Sequence, residues 1–493
     1  MWTSLALSFL AAHGAFDYER EIERSHDLGE RTALQLAHTM GALEVSGWDQ
    51  PRVGVQMKIV VRGDRAAEFG EGVELKSEET GDALRLATSL PKGEWEELSY
   101  DIRLQIRVPR LERVELRHTF GDARLKEVHA GLIRVDVQNG RLEMADTRGD
   151  LELAAGFSDV LIDKLEAERV QVSGDNGNVQ IRRVAAGELA LARSFGNVHI
   201  EDAAGNLVAK CSNSTFHVYD LDGSVRLESQ FGELYLRGVR GDVQLAGRNS
   251  SLRGEQITGA VQVENTSGAV TLSGVQGDVV VHMAGERVQV SDVAGSARVS
   301  NQFGDVYLSG VGESVTLEAK NGSSQVERVG GSIEAVAEFV HMSLRAVRGN
   351  CTVKSKNGTV QLQDVQGDAT VANTFGQVTA TRVRGALVVH NQNGPVTASG
   401  LSYESRHDGE LNGGSKKKIE CTTTFGSIQL YLPTPADFEL DALATFGGIE
   451  SDFPLTGLDK DVSEQRCKCT LGEGAALIRL VSESGGIYLH QER

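Results

Sequence analysis

From Gly205 to Ser402 the chain can be cut every 9 residues without an insertion, and most cuts fall on glycine. Position 3 of these units is apolar except at Ser324, and position 5 except at Gly254. Position 4, between them, is mostly Gln, Thr, Arg, Ser or Tyr. Apolar–polar–apolar bounded by glycine is a short strand with one buried face. Position 8 sets the longer period. It is apolar in every second unit, from Leu221, Val239 and Ile257 through Val365, Val383 and Leu401, and mostly polar in the others, as at Gln230, Lys320 and Lys356. Two unlike 9-residue strands therefore make one turn of 18 residues, and the spacing predicts an all-β chain wound as a flattened β-solenoid with ~18-residue coils.

Before Gly205 the pattern persists with one-residue slips back to about Leu111, which predicts roughly sixteen turns and, at about 4.8 Å per strand, a rod of roughly 75 Å. The residue before the second strand's glycine alternates: Phe303, Asn321, Phe339, Asn357, Phe375, Asn393. Asn-Gly suits a tight turn because both residues tolerate positive φ. A Phe at that place is expected to lay its ring over smaller neighbours and seal the corner of the core. Duplication of a two-coil ancestor would leave the same alternation, and neither reading makes these rings a binding site.

The ends depart from the repeat. Residues 1–15, "MWTSLALSFLAAHGA", carry an apolar run and small residues but no Lys or Arg, and suggest a secretory signal cleaved near Gly14 or Ala15. No cysteine follows for a lipid anchor, and no other stretch is long and apolar enough to span a bilayer. An exported protein is expected, in the periplasm, at the cell surface or outside the cell. Residues 16–110 predict a cap of irregular strands, which a solenoid needs over its first open edge. Residues 111–402 form the regular solenoid, 403–418 a flexible excursion, and 419–493 longer coils with a closing cap, interrupted again at 454–474.

The N-terminal "LEVSGWD", the many "NG-x-V-x-L-x-x-V-x-G" units, "FGSIQLYLP" and the closing "SGGIYL" resemble a large bacterial putative-adhesin family, a domain of unknown function made of short β repeats. The resemblance covers nearly the whole chain after residue 15. It implies a single-stranded right-handed β-helix and an envelope or secreted location, and it implies no catalytic residues.

A net charge of -19 argues against a nucleic-acid backbone as partner. Five cysteines in 493 residues are no disulfide scaffold. Cys351 reads as a buried thiol, and Cys467 and Cys469 share one strand face, so a bond between them is geometrically poor. Either could reach Cys421 if those coils adjoin. No nucleophile elbow, Cys-x-x-Cys, His-Glu-x-x-His or phosphate loop occurs. The histidines, including His217, His282, His341 and His390, read as scattered surface residues. Calcium-binding nonapeptide solenoids share the 9-residue period, but the Gly-Asp pairs here lack the Gly-Gly-x-Gly-x-Asp spacing, so each Asp reads as a turn residue and no cofactor or metal is expected.

The expected function is a non-catalytic, adhesin-like or scaffold protein that meets a protein or glycan at the cell surface through flat sheet faces. Polysaccharide-cleaving β-helices are the enzyme alternative, and an envelope-associated regulatory partner is another. Either enzyme or contact loop would use the basic excursion, where Arg406, His407, Lys416, Lys417 and Lys418 could hold an anionic glycan.

Overall fold

The computed structural model describes residues 17–93, 95, 97–403, 406–407, 410–411 and 416–492, so the expected leader at 1–15 lies outside the described residues. The chain divides into two compact units, Met1–Gly241 and Asp242–Arg493. Each is a stack of parallel coils whose two strands turn alternate side chains inward.

The inward set is the one the period predicts. Val306 and Leu308 are buried, with Tyr307 half-exposed between them. The apolar position 8 residues from Leu221 to Leu401 are buried as well. Coils in the second unit pair at 18 residues, as Val263↔Val281 and Leu272↔Val290 show. In the first unit the step is 19 over the earlier coils, as at Leu116↔Val135 and Ile162↔Ile181, which is the origin of the one-residue slips, and 18 by Leu207↔Val225.

Coils are held together at their corners by side chains that the period does not reveal. The residue after the turn glycine caps the next coil: Asp278 accepts from the Ser296 amide at 2.8 Å and Asp368 from that of Ala386 at 2.7 Å. An Asp that hydrogen-bonds a backbone N–H is a turn residue. Inside the opposite corner, two residues before the Phe or Asn, many coils carry a buried polar group, while Ala155, Ala319, Ala337 and Ala444 hold the place on others. Asn301 donates to Glu286 O at 2.9 Å, and Asn391 donates to Gly376 O and Gly394 O, both at 2.9 Å. In the first unit the Arg193 guanidinium does the same for Gly177 O at 2.8 Å. These donors satisfy carbonyls at the chain reversal that would otherwise be buried unpaired. Glycine recurs at the reversal because coils touch there: a Cβ on Gly358 would stand 2.0 Å from Val340 O.

Both ends are permuted. In the first unit the coil of Ala33–Met40 and Ala42–Gly47 lies between the coil of Ala83–Ser89 and Ser99–Val108 and the coil of Leu111–Phe120 and Ala123–Lys126. Arg52–Arg62 then runs antiparallel to Ser99–Val108, and Asp17–Asp27 antiparallel to Arg52–Arg62, covering the edge. In the second unit Ala476–Ser484 lies between Lys417–Phe425 and Phe438–Thr445. Glu464–Leu471 pairs antiparallel with Phe438–Thr445.

That strand order settles the cysteines. Cys421 adjoins Leu480, Leu480 adjoins Ala442, and Ala442 adjoins Cys467. Three strand spacings, about 14 Å, far exceed the about 7 Å that a disulfide can bridge. All five cysteines are free.

Candidate functional site

Of the excursion lysines, Lys416 and Lys418 face outward and Lys417 does not. Arg406–His407 and Glu410–Leu411 make a two-residue antiparallel pairing. Lys416 is held by Glu439, and Lys418 pairs with Glu420 at 2.6 Å. Lys417 turns inward. It is 1% exposed and donates to Val383 O at 2.8 Å, and burial pulls its ammonium down to about 8. It begins strand Lys417–Phe425, two residues before an inward Ile419, so the alternation of the strand carries it into the core.

A groove of about 820 Å³ runs across the outer face of the second unit, lined by residues from Ser300 to Glu483 on eight successive strands. Its floor is a column of outward residues that includes Glu318, Val336, Lys354, Ala372 and His390. Val336 is 53% exposed. Lys320 meets Glu338 at 3.6 Å. Lys354 and Lys356 have no carboxylate within ion-pair distance among the described residues, although both line the groove. His390 is tied to Thr422 at 2.7 Å.

The first unit has a groove of about 740 Å³ on the same type of strand. There several of the charges answer one another, although Arg117 and Asp136 line it without an ion pair among the described residues. Arg134 meets Glu152 at 2.7 Å and Glu115 at 3.8 Å, Gln35 donates to Glu115 at 3.2 Å, and Arg85 donates to Gln35 at 2.7 Å. Elsewhere on this unit four rings gather, with His199–Tyr219 centroids 5.3 Å apart and Tyr219–Tyr235 5.5 Å apart, His217 lying between His199 and Tyr235.

Burial pushes the Cys351 and Cys421 thiols up to about 12, so neither is a thiolate at neutral pH. No group of three His, Cys, Asp or Glu among the described residues could hold a metal ion.

Two expectations change. The histidines are not all at the surface: His38 and His118 are buried and stacked with centroids 5.2 Å apart. His38 Nδ1 meets Thr88 Oγ1 at 2.8 Å, and burial, aided by His118, pulls the His38 ring down to about 3. Nor do the corner phenylalanines seal the core. Phe303, Phe339, Phe375, Phe425 and Phe446 are 50–75% exposed, and Phe120, Phe157, Phe195 and Phe231 in the first unit are 45–69% exposed. A small or polar buried residue two places earlier, such as Ala337 behind Phe339 or Asn301 behind Phe303, already occupies the inside of the corner, and the rings stand outside it. Neither groove nor lysine pair announces itself in the period, because the period reports only what points inward. Aligning the outward positions coil by coil would have found both.

The model of the Toastrack DUF4097 family matches residues 89–375 and 340–490. Among solved structures, a putative cell adhesion protein from Clostridium sporogenes aligns over 96% of this chain and 100% of its own, at 8% identity and a TM-score of 0.15. A putative adhesin from Bacteroides fragilis aligns over 51% of this chain and 97% of its own, at 13% identity and a TM-score of 0.24. No curated protein matches the chain. With the family model spanning its coils from residue 89 to residue 490, the chain belongs to the Toastrack DUF4097 family.

Proposed function

We propose that this chain is an exported, non-catalytic interaction protein that binds an extended anionic glycan along the groove of its second unit. The observation that carries this reading is the pair Lys354 and Lys356, two ammonium groups on neighbouring outward positions of an open face with no ion pair among the described residues. An extended polymer suits the site because the groove crosses coil after coil without an enclosing wall. Lysines attract anionic chains as point charges, so binding should weaken as salt rises.

The test is a glycan screen followed by titration of the best anionic ligand against Lys354→Glu/Lys356→Glu. Affinity should fall by about tenfold or more, each tenfold being about 1.4 kcal/mol, with the melting temperature unchanged. Unchanged affinity would remove the groove from the proposal, and turnover of any polysaccharide would replace it with an enzyme.

A further inference from the structure

The exposed phenylalanines form a ladder whose order is spatial, not sequential. In the second unit, corner residues pair as Phe375↔Asn393, Asn393↔Phe425 and Phe425↔Ser484. The next coil outward is Phe438–Thr445, so Phe446 follows Ser484 in space, and a Cβ on Gly447 would stand 2.1 Å from Gly485 O. Along the chain the order is Phe425, Phe446, Ser484, which breaks the alternation. Across the permuted coils it is Phe425, Ser484, Phe446, which keeps it. A duplicated two-coil ancestor explains alternation along the sequence. It does not explain alternation restored across an inserted coil.

The placement is costly twice. Phe157, Phe195, Phe231, Phe339 and Phe446 have φ between 49° and 62°, a left-handed conformation that strains a bulky L-residue. Their rings then lie half or more in water. The intervening asparagines stay low: Asn321 Nδ2 folds back to Gln302 O at 3.4 Å and Asn393 Nδ2 to Thr374 O at 3.2 Å. Rings on every second coil are about 9.6 Å apart, with a gap between each pair.

We propose that this edge is a self-association surface, in which the phenylalanines of a second copy enter the asparagine gaps. Offset by one coil, each ring stands about 4.8 Å from a ring on either side, within the 4.5–7 Å at which aromatic pairs attract. The fit is to the same ladder because only a partner with the same two-coil spacing fills every gap. A single row of rings falls short of the about 1,200 Å² of a permanent complex, so the association is reversible. Each copy carries a charge of -19, so screening the repulsion with salt strengthens the pairing. Glycan binding in the groove responds to salt in the opposite sense, and the two proposals stand or fall separately.

Sedimentation of the full chain over a wide concentration range, at low and high salt, tests the proposal with two variants. One carries Phe303→Ser and the same change at the other corner phenylalanines. The other fills the gaps with Asn139→Phe, Asn176→Phe, Asn321→Phe and Asn357→Phe, at positions whose φ Phe339 already adopts. The parent should dimerise more strongly at high salt, and both variants should associate about tenfold more weakly or worse. A parent that stays monomeric at every concentration and salt overturns the proposal. So does a gap-filled variant that associates as well as the parent, because unspecific apolar sticking gains from added rings whereas interdigitation loses.

Discussion

The two grooves differ in what their charges face. In the first unit Arg134, Glu115, Glu152, Gln35 and Arg85 are bonded to one another. In the second, Lys354 and Lys356 line a groove of similar volume and meet no carboxylate among the described residues. The backbone beneath is the same kind of strand, and most of the inward residues are aliphatic. What separates a closed face from an open one is therefore a few outward side chains, which contribute little to folding. Function on such a scaffold can change without disturbing the core.

The largest effects should be the same under both grooves. Leu116→Asp and Leu317→Asp each place an unpaired charge at a position 0–1% exposed and should cost about 3–5 kcal/mol, measured by hydrogen exchange in the affected unit. A small effect at either site would mean that the face is not built on the common core.

Titration should split the units next. The folded-state pKa of His38 lies below its unfolded value, so the contribution of the neutral ring is full above about 6.5 and is lost as pH falls toward about 3. Burial lowers the His118 ring as well. Acid should therefore open the first unit before the second, detected by limited proteolysis, and His38→Phe should shift that opening to lower pH. Lys417 acts at the other end of the scale. Its ammonium is held at about 8 against an ordinary value of 10.5, so stability should rise between those pH values as the buried charge is relieved. Lys417→Met should flatten that rise, and an unchanged slope would show that the ammonium is solvated.

Smaller effects sharpen the contrast between the faces. Arg134→Ala breaks exposed ion pairs and should cost about 0.5 kcal/mol after solvent screening, with no change in glycan affinity. Loss of affinity there would move the binding face to the first unit. Tyr307→Asp, outward between two buried residues, should alter stability least, by about 0.5 kcal/mol or less.

The repeat, its two-strand coil and the inward residues were legible because burial imposes a period of two on every strand. Three things were not. The polar column of Asn301, Asn373 and Asn391 occupies inward positions that hydrophobicity alone marks as errors, and only the carbonyls it satisfies explain it. The rings of Phe303 and its equivalents were expected inside because aromatics usually are, yet the corner was already full. The strand order at the ends arises from pairing between distant segments, on which local pattern is silent. Lys417 combines these failures, a charged residue carried inward by the register of a strand that sequence places in a loop.

The permuted ends bear on how the chain is made. A simple solenoid can lay down each coil on the one before as it leaves the ribosome. Here residues 438–451 emerge before 476–491, yet their strands lean on that later coil. The last turns therefore have no template until the final segment arrives, and they must close together in one late, cooperative step. Residues 83–108 stand in the reverse position, able to dock at once on the coil of 33–47 that preceded them. The order of synthesis makes one end early and incremental, and the other a clasp.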